Sequence, residues 1–250
     1  MVPKIKIIMK KLFVVLLFVP TISFAQWQDL IKKASDELTK ATGISASSRI
    51  DIAAGLKEAL NNGVSKQVTK LTTTDGFYKN SLVKIVLPAE LQKVDETLRK
   101  LGMSKLADDG IRSLNRAAEN AVKESTPIFV SAIKNMTISD AKSILMGDQA
   151  AATTYLKTST TSALYAKFSP TIQESIRKVG ADKIWKTIIK KYNAIPFVDK
   201  VNPDLTDYVT TKSLEGVFTM ISIEEKNIRT STKSRSSDLL KKVFAMQDKN

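Results

Sequence analysis

Histidine and cysteine are both absent from the 250-residue sequence. Without them the chain cannot form a Ser-His-Asp triad, a thiolate nucleophile, a disulfide or a structural zinc site, and neither residue can hold haem. The sequence also lacks the nucleophile-elbow pattern G-x-S-x-G and the phosphate-binding pattern G-x-x-x-x-G-K-[ST]. An enzyme made from this chain would therefore depend on carboxylates, hydroxyls, lysine or an oxygen-bound metal.

Helix breakers and aromatic residues are scarce, with 7 prolines, 9 glycines and 6% aromatic residues. Most glycines and prolines lie where amphipathic patterns begin or end. We therefore predict a helix that stops at Gly63 and continues as a second piece to about Thr73, helix ends at Gly102 and Gly180, a restart at Ser169-Pro170, a helix capped by Ser104, and further starts at Asp204 or Thr206 and at about Ser236. The pattern predicts an all-α protein, a single domain over residues 26–250 with about nine or ten amphipathic helices that include αα-hairpins. One short stretch, 81–87, reads as either a strand or an extended tether, and we favour the tether because no partner strand is evident. The few aromatic residues show no base-stacking pattern, which argues against nucleic acid as a partner.

The N-terminus has the layout of a secretory signal peptide over residues 1–25. Four lysines precede a short apolar run, Leu12–Val19, which is followed by the small-residue pattern Ser23-Phe24-Ala25. The run is shorter than the roughly 20 residues that span a bilayer. We predict cleavage after Ala25, export to the periplasm or beyond, and no transmembrane segment in the mature chain; an uncleaved anchor is the alternative.

The chain is basic, with 39 lysine and arginine residues against 25 acidic residues. Because four of the lysines precede the predicted cleavage point, the mature chain keeps a net charge of about +10. This charge favours an envelope lipid, a cell-wall polymer or another envelope protein as partner, although lysines also simply solvate helix faces. Near the C-terminus, Arg229, Lys233 and Arg235 are candidate contacts for an anionic partner, with a plain linker over 230–237 as the alternative.

A second candidate lies in "SLNRAAENA", where Asn115, Arg116 and Glu119 fall on or near the polar face of a predicted helix that begins at Ser104. Arg116 and Glu119 have the i, i+3 spacing of an ion pair. A solvated pair, a buried polar network that fixes helix register, and a catalytic Glu119 are all compatible with this spacing. The neighbouring alanines favour close helix approach and hence the buried network.

Asp140 and Asp148 each lie near a predicted helix start, where a carboxylate can cap free N–H groups. A two-aspartate metal site is the alternative, but no D-x-D-x-D loop accompanies the pair. The sequence predicts no metal site and no cofactor.

An internal echo relates residues 94–106, "VDETLRKLGMSKL", to residues 172–184, "IQESIRKVGADKI", without gaps. Both copies have the pattern of an αα-hairpin, in which a helix ends at glycine and the next begins at once. Duplication and convergence on the same turn chemistry both explain the echo.

Several longer stretches together resemble the bacterial secreted family catalogued as domain of unknown function 4197. They are "AGLKEAL", "SLNRAAENA", "PIFVSAIKNMTISDAKSILMGDQAAATTYL", "FSPTI" and "EEKNIR". The resemblance covers nearly the whole mature chain. It implies a helical, exported, single-domain protein and brings no reaction, cofactor or catalytic residue with it.

For function, the sequence favours a non-enzymatic binding or envelope-associated protein whose partner is apolar or anionic. A carboxylate-dependent hydrolase is the first alternative and requires Glu119, Asp140 and Asp148 to converge in one cleft. A purely structural scaffold without a ligand-sized pocket is the second.

Overall fold

The structure is a computed structural model of the full chain. The structure describes residues 46–87, 99–180 and 204–248 continuously, together with single positions between 29 and 40, between 92 and 96, and between 182 and 202. The chain separates into two compact units, residues 1–46 and residues 47–250. In the first unit, the described positions between 29 and 40 are helical and exposed. The predicted signal peptide and its cleavage point lie outside the described residues.

The described part of the chain is built from helices and contains no strand, which confirms the all-α prediction. It contains seven α-helices and one 3₁₀ turn, slightly fewer than the predicted nine or ten helices. The elements are α1 Ala46–Thr72, α2 Ser104–Val122, α3 Ser125–Asn135, α4 Ile138–Leu145, α5 Ala151–Lys178, α6 Leu205–Thr230, the 3₁₀ turn Thr232–Ser234, and α7 Asp238–Phe244. Among the described residues, α5 is central, because it packs against α2, α3, α4 and α6.

The helix α5 buries one side chain at every fourth position along its whole length. The series is Ala152, Leu156, Thr160, Leu164, Phe168, Ile172 and Ile176. A spacing of four residues exceeds the 3.6 residues of a helical turn, so the buried stripe winds around the helix and meets different neighbours in turn.

Two helix ends predicted from helix-breaking residues are wrong. The expected restart at Ser169-Pro170 does not occur, since α5 continues through Pro170. Packing on both sides of the proline, at Phe168 and Ile172, outweighs the lost backbone hydrogen bond. Likewise α1 passes through Gly63 instead of stopping there. The missing side chain lets the Glu224 side chain of α6 approach to 3.4 Å from where a Cβ would lie.

Other boundaries follow the predicted caps more closely. Asp204 caps α6 with its side-chain oxygen, as the sequence predicts. Ser237 caps α7 in the same way, one residue after the predicted start at about Ser236. The helix predicted to be capped by Ser104 instead includes Ser104 as its first residue, with no side-chain cap. Gly102 and Gly180 both adopt positive φ, +76° and +67°, which is the left-handed turn predicted for the two echoed hairpins.

Residues 73–87, which we call the connecting segment, follow α1 as a series of turns and then an irregular stretch from Lys84 to Leu87. The segment forms no strand, in agreement with the preference for a tether. Its buried side chains are Phe77, Val83 and Ile85, whereas Leu82 and Val86 are exposed. The segment thus anchors itself by three apolar side chains between helices.

Hydrogen bonds between α5 and α6 show that these helices are antiparallel. At the start of α5, Thr153 contacts Glu225 near the end of α6, and further along α5, Tyr165 contacts Asp207 near the start of α6. The relative direction of α2 and α6 follows from their contacts with the connecting segment. Its Phe77 contacts Glu119 of α2 and lies against Gly216 of α6.

At the other end of the connecting segment, Asn115 of α2 and Tyr208 of α6 bind two consecutive backbone positions, Ile85 and Val86. From Phe77 to Val86, the contacted residue number falls from 119 to 115 in α2 and from 216 to 208 in α6. Both helices therefore run in the same direction along the segment, and α2 and α6 are parallel. The helices α2 and α5 are therefore antiparallel, and the start of α2 lies at the same end of the bundle as the end of α5.

The Tyr165 hydroxyl donates a hydrogen bond to Asp207 Oδ1 at 2.5 Å. This bond, together with burial, raises the pKa of Tyr165 to about 12. Because the folded-state pKa exceeds the usual value of 10.0, the neutral phenol stabilises the fold below pH 10, and this contribution is lost as the pH rises to about 12. We expect the stability difference between the wild type and Tyr165→Phe, measured by urea unfolding, to shrink over that interval. A difference that is constant between pH 9 and pH 12 would contradict this assignment.

Candidate functional site

Asn115 holds the backbone of the connecting segment in the way that a neighbouring strand would. Its side chain is fully buried, its Oδ1 accepts from the Ile85 N–H, and its Nδ2 donates to the Ile85 carbonyl, both at 2.8 Å. The same Nδ2 also donates to the carbonyl of Ile111 in its own helix. One amide side chain therefore satisfies both backbone groups of a buried residue that has no strand partner.

Glu119 and Arg116 extend this contact along the connecting segment. Glu119 is 3% exposed, and its Oε1 accepts from the Phe77 N–H at 3.1 Å while its Oε2 accepts from Arg116 at 2.7 Å. Arg116 also donates to Asp75 at 2.7 Å. Asp75 has positive φ, +67°, an uncommon conformation for a residue with a side chain. Arg116 thus fixes the carboxylate of a residue at a tight turn.

Asn115, Arg116 and Glu119 form a polar network against the connecting segment, which we call the segment clamp. Asn115 and Glu119 are buried, and Arg116 is half-buried. The sequence favoured such a network under a neighbouring helix, but the structure places the connecting segment there instead. The neighbouring alanines, Ala117 and Ala118, are fully buried in a helix that packs against α5 and α6. Both carboxylate oxygens of Glu119 accept hydrogen bonds from the chain itself, so Glu119 has the environment of a structural carboxylate.

A second buried network, the junction cluster, consists of Glu225 and Arg229 beneath the turn between α4 and α5. Glu225 accepts hydrogen bonds from the N–H groups of Ala152 and Thr153, at 2.9 and 2.8 Å, and from the Thr153 hydroxyl at 2.7 Å. These N–H groups belong to the first turn of α5, where no intrahelical acceptor exists and negative charge is favoured. Glu225 is therefore the N-terminal cap of a helix 73 residues away in sequence.

Arg229 complements this cap at the preceding helix. It donates to the carbonyls of Ile144 and Leu145, at 2.7 and 3.1 Å, and so binds acceptors in the last turn of α4. Its Nε donates to Glu225 at 2.9 Å. One ion pair therefore places a cation at a helix C-terminus and an anion at the next helix N-terminus, as the helix dipoles favour.

The placement of Arg229 and Arg235 corrects the interpretation of both as contacts for an anionic partner. Arg229 is 4% exposed and Arg235 is 3% exposed, so neither presents its charge at the surface. Arg235 donates to the carbonyls of Ile228 and Arg229 and pairs with Asp248 at 2.6 Å. Arg235 thereby fastens the turn that the sequence treated as a linker. Of the three candidates, Lys233 alone is exposed.

Asp140 and Asp148 serve the two helix starts separately. Asp140 and Thr137 form a capping box at α4, and the hydrogen bond from the Thr137 N–H holds the pKa of Asp140 below its usual value. Asp148 accepts from the Ala150 N–H at 2.8 Å in the turn before α5. Within the described ranges, no group of three or more acidic residues is placed to hold a metal ion.

Sequence reasoning did not identify Glu224 and Glu225 as buried residues. Glu224 is 6% exposed and accepts from Lys66 and from Gln67 at 2.6 and 2.7 Å. The sequence does contain a signal for their burial. Ile221 lies before the pair and Ile228 lies after it, and these two residues mark the buried side of α6.

Cavities in the described part of the chain offer no enclosed ligand pocket at these clusters. An apolar cavity of about 20 Å³ lies between α1, α6 and α7, beside the junction cluster, and has room for about one water molecule. An open groove of about 670 Å³ runs between α3 and α5. Of the described residues that line this groove, Lys167 is the one charged side chain.

The fold, the segment clamp and the junction cluster together define the class of protein. It is an all-α protein in which the stretches "SLNRAAENA" and "EEKNIR" supply buried polar contacts between elements of the fold. The chain belongs to the family described as protein of unknown function (DUF4197), whose model matches residues 46–245. The segment clamp and the junction cluster both lie within the matched region. No curated protein and no solved structure matches the chain. Among the described residues, no helix is long and apolar enough to cross a membrane.

Proposed function

We propose that the protein is a non-enzymatic binding protein of the cell envelope that holds an apolar or anionic partner. One observation carries the proposal: each buried carboxylate in the described ranges, at Glu119, Glu224 and Glu225, is engaged by donors of the chain itself. A general acid or base needs access to the reacting proton in a cleft. The buried acids stabilise the fold, and the surface is left basic and in places apolar.

The carboxylate-dependent hydrolase receives less support. It needs two carboxyl groups facing a shared substrate. Glu119 binds the connecting segment, Asp140 caps α4, and Asp148 accepts from the turn before α5, so each has a separate partner. The scaffold hypothesis differs from the binding proposal only in the absence of a partner at the surface.

Export is part of the same proposal. The layout of residues 1–25 supports a cleaved signal peptide with cleavage after Ala25, and the basic mature chain suits an environment of anionic lipids and polymers. The intact mass of protein recovered from the cell envelope checks it directly, since the mature chain would begin at Gln26. A mass that includes residues 1–25 would contradict cleavage.

Native mass spectrometry of the protein purified from its own envelope tests the binding proposal. We expect a retained lipid, polymer fragment or protein subunit that is released under denaturing conditions. The same protein should bind isolated envelope fractions in a sedimentation assay. A bare chain in the spectrum, together with no sedimentation with any envelope fraction, would overturn binding and leave the scaffold.

A further inference from the structure

The two echoed turns project from the same end of the bundle. Ser104 begins α2 eleven residues before Asn115, so the helix extends about 16 Å beyond the segment clamp. Lys178 ends α5 thirteen residues after Tyr165, which is about 20 Å beyond the contact with Asp207 at the start of α6. Because α2 and α5 are antiparallel, both extensions point past the start of α6.

Each extension ends in a turn that leaves apolar side chains exposed. The first tip, residues 99–106, exposes Leu101, Met103 and Leu106 at 69%, 43% and 56%, and the second tip, residues 177–183, exposes Val179 at 55%. Leu101 and Val179 occupy equivalent places in the echo, each directly before the left-handed glycine. The echo therefore repeats an exposed apolar residue as well as a turn.

Basic side chains surround the exposed apolar residues at both tips. The first tip carries three cations and no acid, and the second carries three cations and one acid, Asp182. The exposed lysines and arginine are Lys100, Lys105, Arg177, Lys178 and Lys183. Some of these cations pair with acids, Asp109 and Glu174 among them, which lie farther along the helices from the turns. The residues within each tip therefore carry a net positive charge.

The space beside both left-handed glycines is open, which decides between kinds of partner. A side chain built at Gly102 or Gly180 would meet no atom within 4 Å in the described part of the chain, apart from its immediate neighbours. Such a surface cannot enclose a small ligand. Exposed apolar side chains between lysines instead suit a fluid interface, in which the apolar groups enter the acyl boundary and the lysines meet anionic headgroups.

We propose that the two hairpin tips dock the protein on an anionic phospholipid bilayer, with Leu101 and Val179 entering the interface and the flanking lysines binding the headgroups. This inference rests on the proposed function and names the partner as the bilayer surface itself. It requires no membrane-spanning helix, because single side chains enter the interface and the helices stay outside it.

Vesicle sedimentation of the mature chain, residues 26–250, tests the proposal. The probes are vesicles of phosphatidylglycerol mixed with phosphatidylethanolamine and vesicles of phosphatidylcholine alone. We expect binding to the anionic vesicles that weakens as salt rises from 50 to 500 mM, and binding to phosphatidylcholine that is at least about tenfold weaker. The double variant Leu101→Gln/Val179→Gln should lose about tenfold or more in partition to anionic vesicles. The variant Lys100→Gln/Lys183→Gln should bind more weakly and with less salt dependence.

The matched control is Val130→Gln/Ile138→Gln, which removes two apolar side chains that are each 48% exposed but lie outside the tips. It should bind as the wild type does, and all variants should show wild-type helical circular dichroism. Equal binding by the tip variant and the wild type would overturn the assignment of the tips. Retention of a partner from envelope fractions without binding to anionic vesicles would overturn bilayer docking while the broader binding proposal stands. If the protein binds neither the anionic vesicles nor the envelope fractions, both bilayer docking and the broader binding proposal are overturned.

Discussion

Replacing Glu225 with alanine will lower the free energy of unfolding by about 3–5 kcal/mol, the range expected when one member of a buried ion pair is removed. The substitution leaves the Arg229 guanidinium buried without its counter-ion, at 1% side-chain exposure. It also removes the acceptor for the Ala152 and Thr153 N–H groups at the start of α5. Because α5 is central to the described bundle, loss of this cap should affect the whole fold.

Urea unfolding followed by circular dichroism measures this effect, with Glu215→Ala as the matched control. Glu215 lies on the same helix and pairs with Lys212 at i, i+3, but its side chain is 55% exposed. The control should change stability by less than about 1 kcal/mol. The double variant Glu225→Ala/Arg229→Ala should be less destabilised than the sum of the single variants, since it removes both charges together. Similar losses for Glu215→Ala and Glu225→Ala would refute the cap.

The second large effect is expected for Asn115→Ala, which should lower the free energy of unfolding by about 2–4 kcal/mol. The alanine leaves the N–H and the carbonyl of Ile85 without their partner, and each unsatisfied buried backbone group costs about 1–3 kcal/mol. The connecting segment should then separate from α2 more readily than the helices separate from one another. Hydrogen exchange of the Ile85 amide, measured beside global unfolding, distinguishes local release from a general loss of stability.

Asn120→Ala serves as the control for Asn115→Ala, because Asn120 lies on the exposed side of the same helix. It should change the free energy of unfolding by no more than about 0.5 kcal/mol and leave the exchange of Ile85 unchanged. Unchanged exchange of Ile85 in Asn115→Ala would show that the side-chain bridge is not what holds the segment.

Local chemistry explains which parts of this fold can be read from the sequence. Amphipathic periodicity and capping residues predict the helices, since both act within a few residues: Asp204 caps α6 and the left-handed glycines end their helices as expected. The helices that run through Gly63 and Pro170 were not predictable in this way. There the deciding contacts come from helices distant in sequence, and tertiary packing overrides local propensity.

The buried charges illustrate a second limit. Lys212 with Glu215 and Glu225 with Arg229 have similar helical spacing in the sequence, yet the first pair is exposed and the second is almost fully buried. Spacing shows that two side chains can meet, but burial depends on what packs over them. The sequence places Asn115, Arg116 and Glu119 within two turns of one helix as a possible network, but it contains no sign that the covering element is residues 73–87.

Asn115, Arg116 and Glu119 hold the fold together, and we propose that the partner binds elsewhere on the surface. The most direct test measures both properties in Arg116→Ala and Glu119→Ala: the free energy of unfolding, and sedimentation with envelope fractions at a temperature where the variants remain folded. We predict reduced stability for both variants and unchanged binding per folded molecule. Unchanged stability with lost binding would contradict the account and place the functional site at the segment clamp.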